Sequence, residues 1–483
     1  MNYKMLGRFL GLVLLIEAGL LIFPMLVALI YNESATPFLI TIGILAVVSL
    51  PTRFIKPKNK RFYAKDGFIC VALSWILLSA FGALPFVLSG AITNYIDAFF
   101  ETVSGFTTTG ASIIPAGGIE ALPKGVLFWR SFTHWIGGMG ILVFMLAIIP
   151  NAEGNVIFLM RAEVPGPQKG KLVPKLKDSS LILYVIYLAL TLLQVAALLC
   201  TGMPIYDCLI NAFGTMGTGG FSVLNDSIAG YNNPAAEIII AIFLIIAGTN
   251  YNIFFYILIK KFRAISKNEE LKLYLSIVFI STLLISVNIF NSAALLYDSF
   301  GHALRDALFQ AASIMSTAGF TTASFDTWPY FSQTVIIILM LIGASAGSTA
   351  GGLKVSRLLI LFKSMKREAR KIFKPNSVKA LKLDGDTLSE DTVRSTLSYF
   401  VFYIMAMIIP FIILSLDGKD FITTSTSVIA CFNNIGPAFG EAFSSYCGFS
   451  DPATLLLSFV MLFGRLEIMP MLVLFSPSTW KKN

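Results

Sequence analysis

Charged residues make up only 13% of this 483-residue chain, while 56% are hydrophobic. That shortage excludes a soluble globule, which needs far more polar surface to cover its core. Histidine is scarcer still. His134 and His302 are the only two, and neither has a Cys, His or carboxylate set at ligand spacing, so no zinc centre is expected. The five cysteines, Cys70, Cys200, Cys208, Cys431 and Cys447, include no CxxC pair, which argues against a redox motif. Cys208 and Cys447 fall in loops on one side of the expected membrane and could pair. Walker sequences are lacking, as is Gly-x-Gly-x-x-Gly in a strand-turn-helix context, so the chain itself should bind no nucleotide and hydrolyse no ATP. With no convergent catalytic set, it does not read as an enzyme.

What the chain has is long apolar runs, with a mean hydropathy of +0.78. Ten are long enough for a hydrocarbon core that needs about 20 apolar residues. They lie near 8–30, 36–52, 68–90, 126–149, 180–201, 236–259, 272–297, 333–362, 395–415 and 453–475. The first exceeds a signal peptide's apolar region and lacks a small-residue cleavage site, so it is read as retained. Lys and Arg accumulate on the cytoplasmic side of membrane proteins. With both termini inside, the cytoplasmic segments are the N-terminus, 53–65, 151–179, 260–272, 363–394 and the tail. These hold 2, 6, 5, 5, 9 and 2 basic residues, 29 of the 36. The opposite loops hold Lys124, Arg305 and Lys419, with Arg130 at the outer end of a span. The net charge of +9 then reflects basic loops facing anionic lipid, with no nucleic acid required.

After two leading spans the chain repeats a unit over roughly 66–150, 178–262, 270–362 and 393–477: span, short amphiphilic segment, Gly loop, span, basic loop. The loops are Thr108-Thr109-Gly110, Thr218-Gly219-Gly220, Thr317-Ala318-Gly319 and Asn434-Ile435-Gly436. Asp97, Asp207 and Asp306 each precede Gly110, Gly220 and Gly319 by 13 residues, which selects Gly220 over Gly219 as the equivalent glycine. Asp420 stands 16 before Gly436, so either the fourth short helix is nearly a turn longer or Asp420 is not the matching cap. Each Asp reads as an N-cap, suited to the free N–H groups and positive pole of a helix start. Non-helical backbone at membrane depth requires burial in protein or a watery cavity. Four such loops around one axis would present carbonyls that replace the water shell of an alkali cation. Glycine supplies the backbone angles that aligned carbonyls demand. Thr108, Thr218 and Thr317 can add hydroxyls, and Asn434 an amide.

These loops, with Trp129-Arg130-Ser131, Trp135-Ile-Gly-Gly-Met-Gly140, Gly343-Ala-Ser-Ala-Gly347-Ser-Thr-Ala-Gly351-Gly352-Leu-Lys354, Asn433-Asn434-Ile-Gly436-Pro437 and Gly464-Arg465-Leu-Glu467, are similar to the Trk/Ktr/HKT superfamily of potassium transporters. The resemblance covers the whole chain, and the two extra N-terminal spans match the TrkH-type subunits of bacteria. The expected fold is an all-α polytopic membrane protein: a two-span unit over 1–65, then pore repeats over 66–177, 178–269, 270–392 and 393–483 around one pseudo-four-fold pore. The resemblance implies gated, channel-like potassium uptake across the bacterial inner membrane, with potassium as the transported ion. It also implies a homodimer and a cytosolic TrkA-type ring that binds NAD(H) and ATP or ADP, for which loops 151–179 and 363–394 are long and basic enough. Superfamily members from plants that prefer sodium carry serine at the first filter glycine; Gly110 therefore favours potassium, with weaker discrimination than a symmetric channel filter.

Residues 343–352 place Gly343, Gly347, Gly351 and Gly352 inside the eighth span, where each glycine costs about 1 kcal/mol of helix relative to alanine. Either small residues pack tightly between helices there, or the helix breaks and, as the resemblance implies, blocks the cavity under the filter as a gate. Lys354 and Arg357 would follow and snorkel to the cytoplasmic surface. Arg465, near the middle of the last span, needs compensation, since a lone charge there costs at least about 2.5–3.5 kcal/mol. The preferred reading, which the resemblance implies, is that it faces the cavity below the filter and repels cations; burial against carbonyls of the broken segment is the alternative, and both can hold together. Pairing with Glu467 is not expected, because residues two apart leave a helix on different sides. A proton- or sodium-coupled symporter is the alternative, and so is a transporter that discriminates poorly between potassium and sodium. Symport fits less well, since the repeats run one way and Glu467 is the acidic residue counted well inside a span.

Overall fold

The computed structural model describes residues 2–55, 64–140, 176–292, 297–374 and 380–480. Among these the chain is helical, apart from loops and a two-residue antiparallel hairpin, Lys382–Leu383 with Asp386–Thr387. That hairpin turns on Asp384 and Gly385, both at positive φ, as a tight Asp-Gly turn requires.

Among the described residues six helices are long and apolar enough to cross a membrane: Tyr3–Ile30, Thr36–Arg53, Lys65–Leu88, Ser180–Leu199, Glu269–Phe290 and Glu390–Asp417. Two lead the chain, and each of the other four opens a module with a fixed order of elements. A short helix follows in each: Tyr95–Phe106, Ile205–Gly217, Phe300–Met315 and Phe421–Phe432. Then come a loop and a second helix, starting at Lys124, Pro234, Tyr330 and Asp451.

Those second helices are not the continuous spans expected from hydropathy. Pro234–Ala247 and Tyr251–Leu258 meet at 91°. Tyr330–Ile342 ends at Gly343, and the helix resumes only at Val355. Asp451–Arg465 stops before Glu467 and Ile468, both at positive φ, and resumes at Met469. Lys124–Gly138 covers the start of the span at 126–149, and its residues 141–149 lie outside the described residues. A hydropathy window averages over one or two interrupting residues and cannot register where a hydrogen-bond ladder stops. Breaks expected in the eighth span alone therefore occur in the second, third and fourth modules.

The four modules close on one another. The short helix of each packs on the second helix of the module before it, and the first packs on the second helix of the fourth. This puts the short helices inside: every residue from Ala98 to Phe106 is buried, among them Glu101, Thr102 and Ser104. The long helices carry the apolar exterior. In Glu390–Leu414 only Val393, Thr396, Tyr403 and Leu414 are buried, while Val401, Met405, Ile409 and Ile412 are exposed. Polar inside and aliphatic outside is the arrangement that lipid solvent selects.

The short helices are capped differently from the sequence expectation. Asn94 accepts from the Ile96 N–H, Ser299 from that of His302, and Asp420 from those of Ile422 and Thr423; Pro204 occupies the cap position of the second and makes no side-chain bond. Asp97 and Asp207 instead lie in the first turn, and Asp306 lies a turn deeper and accepts from Tyr297 and Thr322. A carboxylate in the first turn still meets the helix dipole, so the type was right and the register was not. Asp420 is the real cap, and Thr423 stands where the other modules have Asp; the fourth helix is not a turn longer.

Candidate functional site

The loops after the four short helices share one backbone path. Thr108, Thr218, Thr317 and Asn434 take φ of 56°, 56°, 58° and 55°. Two residues later Gly110, Gly220, Gly319 and Gly436 take φ of 79°, 75°, 78° and 98°. Between them, the N–H groups of Thr109, Gly219, Ala318 and Ile435 each donate to the carbonyl five residues back, at 2.8–2.9 Å. A left-handed angle at a side-chain-bearing residue costs roughly 1–2 kcal/mol, so repeating it four times marks an imposed geometry. Gly220 carries the glycine conformation; Gly219 occupies the place of Thr109, Ala318 and Ile435.

The loops also form a closed ring. A Cβ added to Gly110 would collide with the Gly219 carbonyl oxygen, on Gly220 with that of Ala318, and on Gly319 with that of Ile435. On Gly436 it would lie 2.6 Å from the Thr109 carbonyl oxygen, returning to the first loop. Each glycine is thus the gap that admits the next loop's carbonyl. All four glycines line one vestibule of about 500 Å³, together with Arg130, Asn225, Thr321 and Ser444.

Side chains brace the ring from behind. Glu101 accepts from the Ile113 N–H at 2.7 Å and pairs with Arg130 at 2.5 Å. Arg130 also stacks over Phe221 at 3.5 Å and is 2% exposed, so the charge read at the outer end of a span is an internal strut between loops. Tyr446 donates to the Gly436 carbonyl at 2.8 Å. The hydroxyls expected to line the path are partly engaged. Thr218 donates to Gly217, Thr108 accepts from Arg465, and Thr317 accepts from the Gly351 N–H at 2.7 Å. Asn434 points its amide N–H groups at Thr109 Oγ1 and the Met461 carbonyl, both 3.0 Å away.

The broken segment 343–354 lies under the third and fourth loops, a Cβ on Gly351 being 3.0 Å from that of Asn434. It is tied down by its backbone: Ser345 donates to the Gly248 carbonyl, Ala346 to the Glu270 carboxylate at 2.6 Å, and Lys354 to the Ile342 carbonyl. Gly343, Gly347 and Gly352 all take positive φ. Arg465 joins it to the first module. Its guanidinium donates to Thr349 O at 2.7 Å, Thr108 Oγ1 at 3.1 Å, Gly137 O at 2.5 Å and Gly138 O at 2.9 Å. Of the two readings left open, burial against carbonyls describes this geometry, and the side chain is 8% exposed.

Other expectations fail here. Lys354 and Arg357 do not snorkel. Lys354 is 1% exposed and donates to the Ala350 carbonyl, and Arg357 is held in a fork by Glu467 at 2.7 and 3.0 Å, above the Tyr399 ring. A forked pair satisfies both charges internally, which removes the reason to reach for water. Glu467 is also not the sole acidic group at depth. Glu17, in the first helix, is 1% exposed with neither oxygen hydrogen-bonded among the described residues, and Glu270 anchors the broken segment. Glu17 was legible as a lone charge in an apolar run. Glu270 was not, because only the folded chain shows that it meets residue 346. Cys208 and Cys447 are unpaired, the former buried and the latter exposed.

A family model described as TrkH, cation transport protein, matches residues 36–482. The Trk system potassium uptake proteins TrkH of Salmonella typhimurium and Escherichia coli K12 are each 36% identical to the chain, over 100% of both sequences. The crystal structure of the potassium transporter TrkH from Vibrio parahaemolyticus superposes with a TM-score of 0.88 at 32% identity, covering 100% of each chain. Buried polar loops inside an apolar, multi-pass helical shell agree with that likeness, and the chain belongs to the TrkH family of cation transport proteins.

Proposed function

We propose that the chain takes up potassium across a bacterial inner membrane through a gated, channel-like pore. The observation that carries this reading is the ring in which Gly110, Gly220, Gly319 and Gly436 each admit the next loop's carbonyl. Four short helices end two or three residues before these carbonyls, so the negative poles of their dipoles add to the field a cation meets there. The relatives named as potassium uptake proteins and Gly110 at the first loop favour potassium as the ion. The segment 343–354 acts as the gate and Arg465 as its latch. Both termini face the cytoplasm in this proposal, and the basic helix Val355–Phe373 offers Lys366, Arg370 and Lys371 to a nucleotide-binding cytosolic ring acting on a homodimer.

The test is reconstitution of the purified chain in liposomes, with potassium and sodium fluxes followed under an imposed voltage. Passive flux that follows the potassium potential supports the pore. Flux that requires a second ion gradient would overturn it in favour of symport.

A further inference from the structure

We infer that His134 is a positioning residue for the second loop, its ring fixing the place of the Gly219 carbonyl and thereby tuning ion discrimination. This rests on the filter reading above.

Of the four residues preceding the ring glycines, Thr109, Gly219, Ala318 and Ile435, only the second has no side chain. Backbone conformation does not demand it, since Gly219 is not at positive φ and its three counterparts carry side chains on the same path. Space does. A Cβ on Gly219 would fall within contact of His134 Cγ, Nδ1 and Cδ2, so the imidazole fills the volume that a side chain takes in the other loops. Gly217 is constrained likewise, where a Cβ would lie 2.5 Å from the His134 carbonyl oxygen.

His134 is itself held by two partners. It is fully buried, its ring centroid is 4.2 Å from that of Phe221, and its Nδ1 lies 2.7 Å from the Gly105 carbonyl oxygen. A carbonyl can only accept, so Nδ1 carries the proton. The ring thus bridges the end of the first short helix and the back of the second loop, whose Gly219 carbonyl sits against Gly110 on the other side. Thr109 is braced by its own hydroxyl, 2.7 Å from that of Thr107, and Ala318 and Ile435 by their own packed side chains. The second loop alone has no side chain at this position, and its backing is an imidazole supplied by the preceding module.

The full-length chain in liposomes provides the test, with the potassium-to-sodium permeability ratio read from reversal potentials. His134→Ala should lower that ratio by about threefold or more, because the carbonyl loses its backing. His134→Phe keeps the ring without the donor and should stay nearer the native ratio. Gly219→Ala should abolish transport or folding, and His134→Ala with Gly219→Ala should recover both, since the new methyl enters the vacated space. A native ratio in His134→Ala, or a double variant no better than Gly219→Ala, would overturn the inference. Gly110→Ala separates the causes, because its methyl would strike the Gly219 carbonyl. Loss of transport there beside a native ratio in His134→Ala sinks the His134 inference alone; undiminished transport in Gly110→Ala sinks the filter reading with it.

Discussion

Arg465→Ala should raise potassium flux. In the described state its guanidinium joins Thr349 of the broken segment to Thr108 of the first loop and to Gly137 and Gly138. Only the bond to Thr349 O, at 2.7 Å, ties it to the segment proposed as the gate. A hydrogen bond to a charged group contributes about 1.5–3 kcal/mol, which is roughly 10- to 150-fold in the balance between closed and open forms. The freed carbonyl recovers part of that by meeting water, so the lower end, about tenfold, is expected. Arg465→Lys separates charge from geometry. A lysine keeps the positive charge but cannot span four acceptors with one ammonium group. Flux near native in Lys with a rise in Ala would assign the effect to electrostatic repulsion, and a rise in both would assign it to the latch. The assay is initial potassium influx per incorporated protein in liposomes. Unchanged or reduced flux in Arg465→Ala at normal incorporation would refute both roles.

Gly319→Ala should abolish uptake while leaving the membrane fold intact, since the methyl would strike the Ile435 carbonyl and meet Pro437 Cδ at 2.6 Å; influx set against a detergent melting curve checks it. Glu467→Ala strands Arg357 at 7% exposure and should cost about 3–5 kcal/mol, seen as a lowered melting temperature, whereas Arg357→Met with Glu467→Leu should recover much of it. Glu270→Ala frees the Ala346 N–H and should increase flux several-fold with the permeability ratio unchanged, while Glu270→Gln, which still accepts that bond, should stay close to native. Asp420→Ala removes a cap that accepts two N–H groups and should cost about 0.5–2 kcal/mol of thermal stability, more than Asp97→Ala, because Asn94 caps that helix.

Much of this molecule is legible in one dimension. Composition alone gives the membrane class, and spacing alone gives the four loops with Gly220 in register. Glycine in a membrane chain is informative because its conformation and its lack of volume are local properties, readable at each position. Charged groups are harder. Arg130, Lys354, Arg357 and Glu270 were read by their distance along a span or were passed over. For Arg130, Glu270 and Arg357 the partner lies dozens to more than a hundred residues away, as with Arg357 and Glu467, and Lys354 meets Ala350 only because the helix between them is broken.

The sequence by itself determined that the chain lives in lipid, that it repeats one module four times, and that each module bends a glycine loop back into the protein. These follow from hydropathy, period and backbone freedom, which act within a few residues. Only the tertiary structure decided that each glycine faces the next loop's carbonyl, that the second helices of the second, third and fourth modules are broken, and that Arg465 is satisfied by carbonyls of two modules. Those are outcomes of packing, in which a buried charge takes whichever acceptors the closed ring brings to it, and no spacing along the chain records them.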